Sequence, residues 1–325
     1  LFSQNAFAKN LPPGSGISDV PANVLILLDK SGSMSVRMTS GSGFHYPTSV
    51  AVDANGDVYA AQFSSFGIKK VTYTTGAVDS TFGASGTYRG SGNCRMVYAY
   101  AMQVHNGFLY VASYYSHHVF RINLTTGACD WNHRVTYPRH LSIKNNIMNV
   151  FSYYNGQGLT RNLSTNKDIS CSYNYSSGIK QTLGGSLDAS GNNFYSVYYY
   201  HLYRFTRDSN GCVNVGSQSS RIYKSQFRYG FGLASHPTDD NILYATSYYE
   251  HLFYKVTLNA AKTSATYSKV GRCCSGKSTA TDVRMYYPLG VAVDNTNNRV
   301  FIAVYQKNSV QAFDLNLGFL KEFGG

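Results

Sequence analysis

Apolar and polar residues alternate along this chain in short runs bounded by turn residues, most clearly from Tyr287 to Phe313, YPLGVAVDNTNNRVFIAVYQKNSVQAF. Within that stretch PLGVAVD alternates and stops at Asn295-Thr296-Asn297-Asn298, RVFIAVY is a β-rich run, and SVQAFD opens a third strand. Such alternation between Asn- and Gly-rich breaks predicts antiparallel strands joined by tight turns. The pattern recurs at Tyr46 to Val71, and more loosely from Tyr100, Tyr137, Gly184 and Gly230. The segment around the second turn aligns six times, as QFSSFGIKKV, SYYSHHVFRI, SYYNGQGLTR, SVYYYHLYRF, SYYEHLFYKV and VYQKNSVQAF. These copies start at Gln62, Ser113, Ser152, Ser196, Ser247 and Val304, and after each a turn leads to a fourth short strand.

A four-stranded unit repeating every forty to fifty residues or so predicts a propeller blade. The chain is therefore expected to be all-β, a six-bladed β-propeller over residues 44–325 preceded by an extended N-terminal arm over residues 1–43. A sandwich of unrelated strands explains the alternation but not the recurring Ser-Tyr-Tyr and Tyr-Pro positions.

The YPxGVAVD run, with its turn, strand and following (R/K)(I/V) pair, resembles the NHL repeat. That resemblance implies a six-bladed propeller of a kind used mostly as a binding platform and, in a few relatives, as a lyase or lactonase. Ser113, Ser152, Ser196 and Ser247 stand near the place where that family usually has an Asp after the second strand.

The arm carries its own motif. After the linker Pro12-Pro13-Gly14, NVLILLDKSGSM runs from Asn23 to Met34 and resembles the first strand and D-x-S-x-S loop of a von Willebrand factor A domain. The resemblance implies a divalent cation held by Asp29, Ser31 and Ser33. The short stretch from Met34 to Phe44 has no room for the rest of such a domain, so weak cation binding and no resident cofactor are expected. An A-domain-like start before a propeller is also distantly similar to type IV pilus tip adhesins.

Val24, Leu25, Ile26, Leu27 and Leu28 form a continuous apolar run of the kind found in buried strands, and it needs a cover. Blade six already owns PLGVAVD, RVFIAVY, SVQAFD and FLKEFGG, so ring closure does not require it. The arm strand is therefore expected to add to an exposed blade edge, in its own or a neighbouring subunit. Repeated head to tail between subunits, that contact builds a filament.

Composition sharpens the functional expectation. Charged residues are 14% of the chain while Tyr contributes 29 residues and Gly 30, giving a Tyr-, Ser-, Asn- and Thr-rich surface typical of secreted binding proteins. A formal charge of +12 favours acidic polysaccharide or cell-surface partners. The absence of helix-turn-helix, zinc-finger or RNP motifs argues against specific nucleic-acid reading. Cys94, Cys129, Cys171, Cys212, Cys273 and Cys274 lack metal-ligand spacing and point to disulfides in an oxidising compartment, with fifteen pairings open. Sequons at Asn123, Asn162 and Asn174 suit a glycoprotein, and Ala6-Phe7-Ala8 resembles a signal-peptide cleavage site, so a secreted or cell-surface location is expected. No apolar run is long enough to predict a transmembrane helix.

In a propeller the first strand of each blade lies at the axis, so the second turns and the interblade connections share one face. That face is expected to gather the tyrosines and histidines of the repeated segments. Tyr114, Tyr115, His118, Tyr154, Tyr199, His201, Tyr249 and His251 are the candidate ligand-binding residues, with about half of the tyrosines alternating inward to pack between blades. Glu250 is the one acid in the six segments, and there is no GxSxG elbow, phosphate-binding loop or HExxH, so no catalytic residue is assigned. The expected function is an exported structural or adhesive interaction protein that self-associates. A glycan-binding module is the alternative, and a metal-dependent lactonase or lyase a third.

Overall fold

The computed structural model describes residues 43–63, 67–84, 86–154, 158–171, 183–198, 200–214, 220–223, 228–274, 276 and 278–324. The arm, with Val24–Leu28 and the loop at Asp29, Ser31 and Ser33, lies outside the described residues, as does Tyr199.

Among the described residues, twenty-four strands form six four-stranded antiparallel sheets, each built from consecutive strands. Blade 1 holds β1 (Pro47–Val52), β2 (Val58–Gln62), β3 (Ile68–Val71) and β4 (Thr87–Tyr88). Blade 2 holds β5 (Ala99–His105), β6 (Phe108–Ser113), β7 (His118–Asn123) and β8 (Cys129–Arg134). Blade 3 holds β9 (Pro138–Lys144), β10 (Ile147–Ser152), β11 (Gly158–Asn162) and β12 (Lys167–Asp168). Blade 4 holds β13 (Gly184–Leu187), β14 (Asn193–Tyr198), β15 (His201–Thr206) and β16 (Ser220–Tyr223). Blade 5 holds β17 (Gly230–Ser235), β18 (Ile242–Ser247), β19 (Leu252–Leu258) and β20 (Ala265–Val270). Blade 6 holds β21 (Pro288–Asp294), β22 (Arg299–Val304), β23 (Ser309–Asp314) and β24 (Phe319–Gly324).

The innermost strands pack on one another in chain order, and β21 returns to β1, so the ring is closed. Each sheet is buried on both faces, which is why its middle strands read as continuous apolar runs. In β22, Val300, Ile302 and Val304 join the core against blade 5, while Phe301 and Ala303 join the core against blade 1. Successive side chains of a strand point to opposite faces, so one run serves two interfaces.

Side-chain hydroxyls and amides stitch the innermost strands together. Thr48 Oγ1 donates to the Ala99 carbonyl (2.7 Å), and Gln103 both accepts from the Ile143 N–H (2.7 Å) and donates to its carbonyl (3.0 Å). Thr246 Oγ1 donates to the Leu289 carbonyl and accepts from the Gly232 N–H. The cysteines pair as Cys94–Cys129, Cys171–Cys212 and the adjacent Cys273–Cys274. No helix among the described residues is long and apolar enough to cross a membrane.

Candidate binding face at the axis

The second turns and interblade connections do share a face, and a repeated backbone device builds it. Tyr46, Tyr98, Tyr137, Tyr229 and Tyr287, each directly before an innermost strand, have φ between 47° and 58°. Left-handed backbone at a bulky residue is uncommon and costs about 1–3 kcal/mol per site. Each of these carbonyls accepts an N–H from the second turn of its own blade: Phe63, Tyr114, Tyr153, Tyr248 and Tyr305, at 2.9–3.0 Å.

The serines at the ends of the second strands reinforce the same junction. Ser113, Ser152, Ser196 and Ser247 place Oγ 3.1, 2.5, 3.1 and 2.9 Å from the carbonyls of Val97, Thr136, Gly184 and Arg228. A hydroxyl suits this place because it donates to a buried carbonyl without burying a charge.

Two residues after each left-handed tyrosine the strand register slips. Pairing shifts between Pro47 and Ser49, Ala99 and Ala101, Pro138 and His140, Gly230 and Leu233, and Pro288 and Val291. A β-bulge re-aims its extra side chain. The bulged residues Thr48, Tyr100, Arg139, Phe231 and Leu289 thus occupy equivalent places near the axis. Blade 4 has no bulge there, and a Cβ on Gly184 would meet the Phe231 carbonyl at 2.4 Å.

Arg139 dominates this layer. Its guanidinium carbon lies 3.6 Å from the ring centre of Tyr100 and 4.2 Å from that of Phe231, and the residue is 5% exposed. Nε has no hydrogen-bond partner, and no carboxylate pairs with the side chain among the described residues. Burial weakens its hold on its proton, opposed in part by the hydroxyls of Tyr100, Tyr114 and Tyr153.

A collar of rings continues outward from this layer. Tyr115, Tyr114, Tyr100, Phe231, Tyr248 and Tyr249 form a chain with successive centroids 4.9–6.1 Å apart. In the pairs Tyr114-Tyr115, Tyr153-Tyr154 and Tyr248-Tyr249 the first ring is buried or half-buried and the second faces solvent: Tyr114 is 8% exposed and Tyr115 53%. Tyr154 and Tyr249 repeat the outward position at 51% and 52%. Burial and the neighbouring Tyr287 push the Tyr248 hydroxyl up to about 12.

The candidate residues therefore separate. Tyr114, Tyr115 and Tyr154 come together with Tyr137, whereas Tyr249 belongs to a second cluster with Tyr229 and Tyr287. His118 is the first residue of β7 and stacks on Phe120; His201 opens β15 against Tyr203. His251 ends the second turn of blade 5, where Nδ1 accepts the Tyr287 N–H at 3.2 Å. His117 does the same for Tyr137 and Asn308 for Tyr46, so this position clips the second turns of blades 2, 5 and 6 to the next blade. Arg139, Tyr100, Phe231 and the left-handed tyrosines were not singled out from sequence; the recurring Tyr-Pro pairs are the trace they leave there.

The clip has a pH signature. Burial lowers the proton affinity of His251 below its ordinary value of 6.5. The unfolded chain then binds more protons as pH falls through about 6.5, so the stabilising contribution is complete above that pH and lost toward the lower folded-state value. His251→Asn, which copies Asn308, is expected to keep the clip and flatten the fall of melting temperature between pH 7.5 and 5. Equal slopes for the variant and the native chain would contradict this role.

The opposite face differs in chemistry. The far ends of all six innermost strands line a cavity of about 690 Å³ there. Its acids and histidines are engaged in turns: Asp53 accepts from Asn55 and Asp57, Asp188 pairs with Lys262, Asp294 with Arg299, and His236 accepts from Thr238 and Asp239. Among the described residues no three His, Cys, Asp or Glu side chains gather as a metal-holding group. Asp53, Asp57, Asp188, Asp239, Asp294 and Asp314 all belong to this side. On the tyrosine side, Glu250 is held by Ser247 and Tyr254, and Asp282 by Arg272 and Arg284.

These features define a six-bladed β-propeller whose one face is an aromatic collar over a plugged axis. Solved structures share the fold. Hydrazine synthase of Kuenenia stuttgartiensis is 12% identical with a TM-score of 0.58, over 87% of this chain and 99% of that one. A streptogramin B lyase is 10% identical with a TM-score of 0.56, over 88% and 85%. A chain of a mitotic checkpoint complex is 11% identical with a TM-score of 0.52, over 87% and 78%. At such identities the likeness is one of fold alone. No family model matches the chain, and no curated protein matches it in sequence.

Proposed function

We propose that this is an exported, non-catalytic adhesive interaction protein whose tyrosine face attaches to acidic polysaccharide or cell surfaces. The observation that carries the reading is a ring of exposed tyrosines, one from each of five consecutive blades: Tyr46, Tyr115, Tyr154, Tyr200 and Tyr249, 39–53% exposed. Such rings offer contact area and a hydroxyl at little entropic cost. The left-handed backbone at Tyr46 and at its neighbours Tyr98, Tyr137, Tyr229 and Tyr287 is the kind of outlier that accumulates at functional sites. The net charge of +12 and the turn aspartates on the opposite side favour an anionic partner here. Disulfides suit an oxidising compartment.

Retention on immobilised polygalacturonate and on intact cells tests this. With roughly 1 kcal/mol or more lost per anchoring aromatic, a Tyr115→Ala, Tyr154→Ala, Tyr249→Ala triple variant is expected to bind about 100-fold more weakly at an unchanged melting temperature. Retention equal to the native chain would sink the reading.

Polymerisation by Val24–Leu28 is a second reading, favoured because each blade holds four strands without that segment. Micrographs that show filaments both with and without residues 1–41 would refute it.

A further inference from the structure

We propose that Arg139 is the floor of a carboxylate pocket at the mouth of the axis, receiving the acidic group of a uronate-type saccharide whose sugar rings rest on the tyrosine collar. This deepens the proposed attachment of the tyrosine face and rests on it.

The bulge layer supplies its own control. Thr48, Tyr100, Phe231 and Leu289 hold the position equivalent to Arg139 in other blades, so packing at this place does not require a charge. A guanidinium buried without a counter-ion is costly. The rings of Tyr100 and Phe231 both pack against the guanidinium. Its Nε has no acceptor in a residue that is 5% exposed.

Among the described residues, the carboxylates on this face are taken. Glu250 is bonded to Ser247 and Tyr254, Asp282 to Arg272 and Arg284, and Glu322 to Lys307 and Gln311. An external carboxylate suits this guanidinium, whose Nε has no partner, because a guanidinium donates to the two oxygens of a carboxylate in parallel. The Tyr100 hydroxyl accepts from the same guanidinium, and Tyr114 and Tyr153 lie near enough to favour its charge. A uronate carries its carboxylate one bond from the sugar ring, so seating the acid on Arg139 brings the ring among the collar tyrosines.

The test measures affinity for trigalacturonate and its neutral methyl ester by calorimetry, with Arg139→Met and Arg139→Lys beside the native chain. The native chain is expected to prefer the acid by about tenfold or more, as a charge-assisted bond should. Arg139→Met is expected to lose that preference while its melting temperature holds or rises, and Arg139→Lys to restore part of it. A fall in melting temperature with the acid preference intact would show a purely structural stack and overturn the pocket. If Arg139→Met does not fold, the native chain decides alone: equal affinity for acid and ester overturns the proposal, and a clear preference upholds it. Stronger competition by inorganic sulfate or phosphate than by acetate also overturns it, in favour of a tetrahedral anion. Full acid preference in Arg139→Met, with binding lost in the triple tyrosine variant, removes the pocket but leaves the contact face standing. Unchanged binding in the triple variant removes that face.

Discussion

Replacing Phe44 with alanine is expected to lower the unfolding free energy by about 3–5 kcal/mol, the range for truncating a buried aromatic. Phe44 is 1% exposed in the core that joins blade 6 to blade 1, beside Val50, Val58, Val310 and Phe323. Every blade here draws its four strands from one continuous segment, so among the described residues no strand is shared across the closing seam. Closure rests on that core and a few clips. The Tyr46 N–H donates to Asn308 Oδ1 (2.8 Å), Lys321 Nζ donates to the Tyr73 carbonyl (2.8 Å), and Arg299 lies 3.6 Å over the Tyr73 ring. Urea denaturation of Phe44→Ala checks the claim, and a loss below about 1 kcal/mol would mean that the seam is held elsewhere.

The second large effect is expected from the Cys171→Ser, Cys212→Ser pair. This disulfide joins the outer edge of blade 3 to the third turn of blade 4 across a sequence separation of 41. A loop of that length contributes roughly 4 kcal/mol in the chain-entropy account. Its position adds to the expectation: the core between blades 3 and 4, built on Phe151, Leu187, Phe194, Phe205 and Val213, is the smallest of the six interblade cores among the described residues. Local polar support includes Asn149 Nδ2, which donates to the Gly211 carbonyl at 2.9 Å, and Ser142 Oγ, which accepts the Leu187 N–H at 3.0 Å. Denaturation of the double variant beside the native chain measures the loss. A change within about 1 kcal/mol would assign blade 4's attachment to packing instead.

Strand positions and blade number were legible in the sequence because they depend on local alternation and turn chemistry. The copies from Tyr46 and Tyr287 each resolve into the first three strands of a blade, and the inward and outward alternation of the Tyr-Tyr pairs follows from the same period of two. Contacts between blades were not legible, because they join residues that no local pattern links. Thr48 to Ala99, Gln103 to Ile143 and Thr246 to Leu289 are each a whole repeat apart. The disulfide pairing was hidden for the same reason.

The bulge layer escaped for a different reason. An inserted residue breaks the alternation that identifies a strand, so Arg139 reads in YPRHLSI as an ordinary polar position. Its burial becomes visible only when five strands converge on the axis. The clip made by the histidines was hidden as well, since Nδ1 of His117 and of His251 accepts the backbone N–H of a residue in the next blade.

The central claim is that the tyrosine face, and not the cavity face, meets the partner. Amide hydrogen exchange of the propeller, with and without polygalacturonate, tests it most directly. The account predicts slowed exchange at residues 114–117, 153–154 and 248–251, with the turns at 53–57, 145–146 and 295–298 unchanged. Protection of those latter turns, with the tyrosine-bearing turns unaffected, would contradict it.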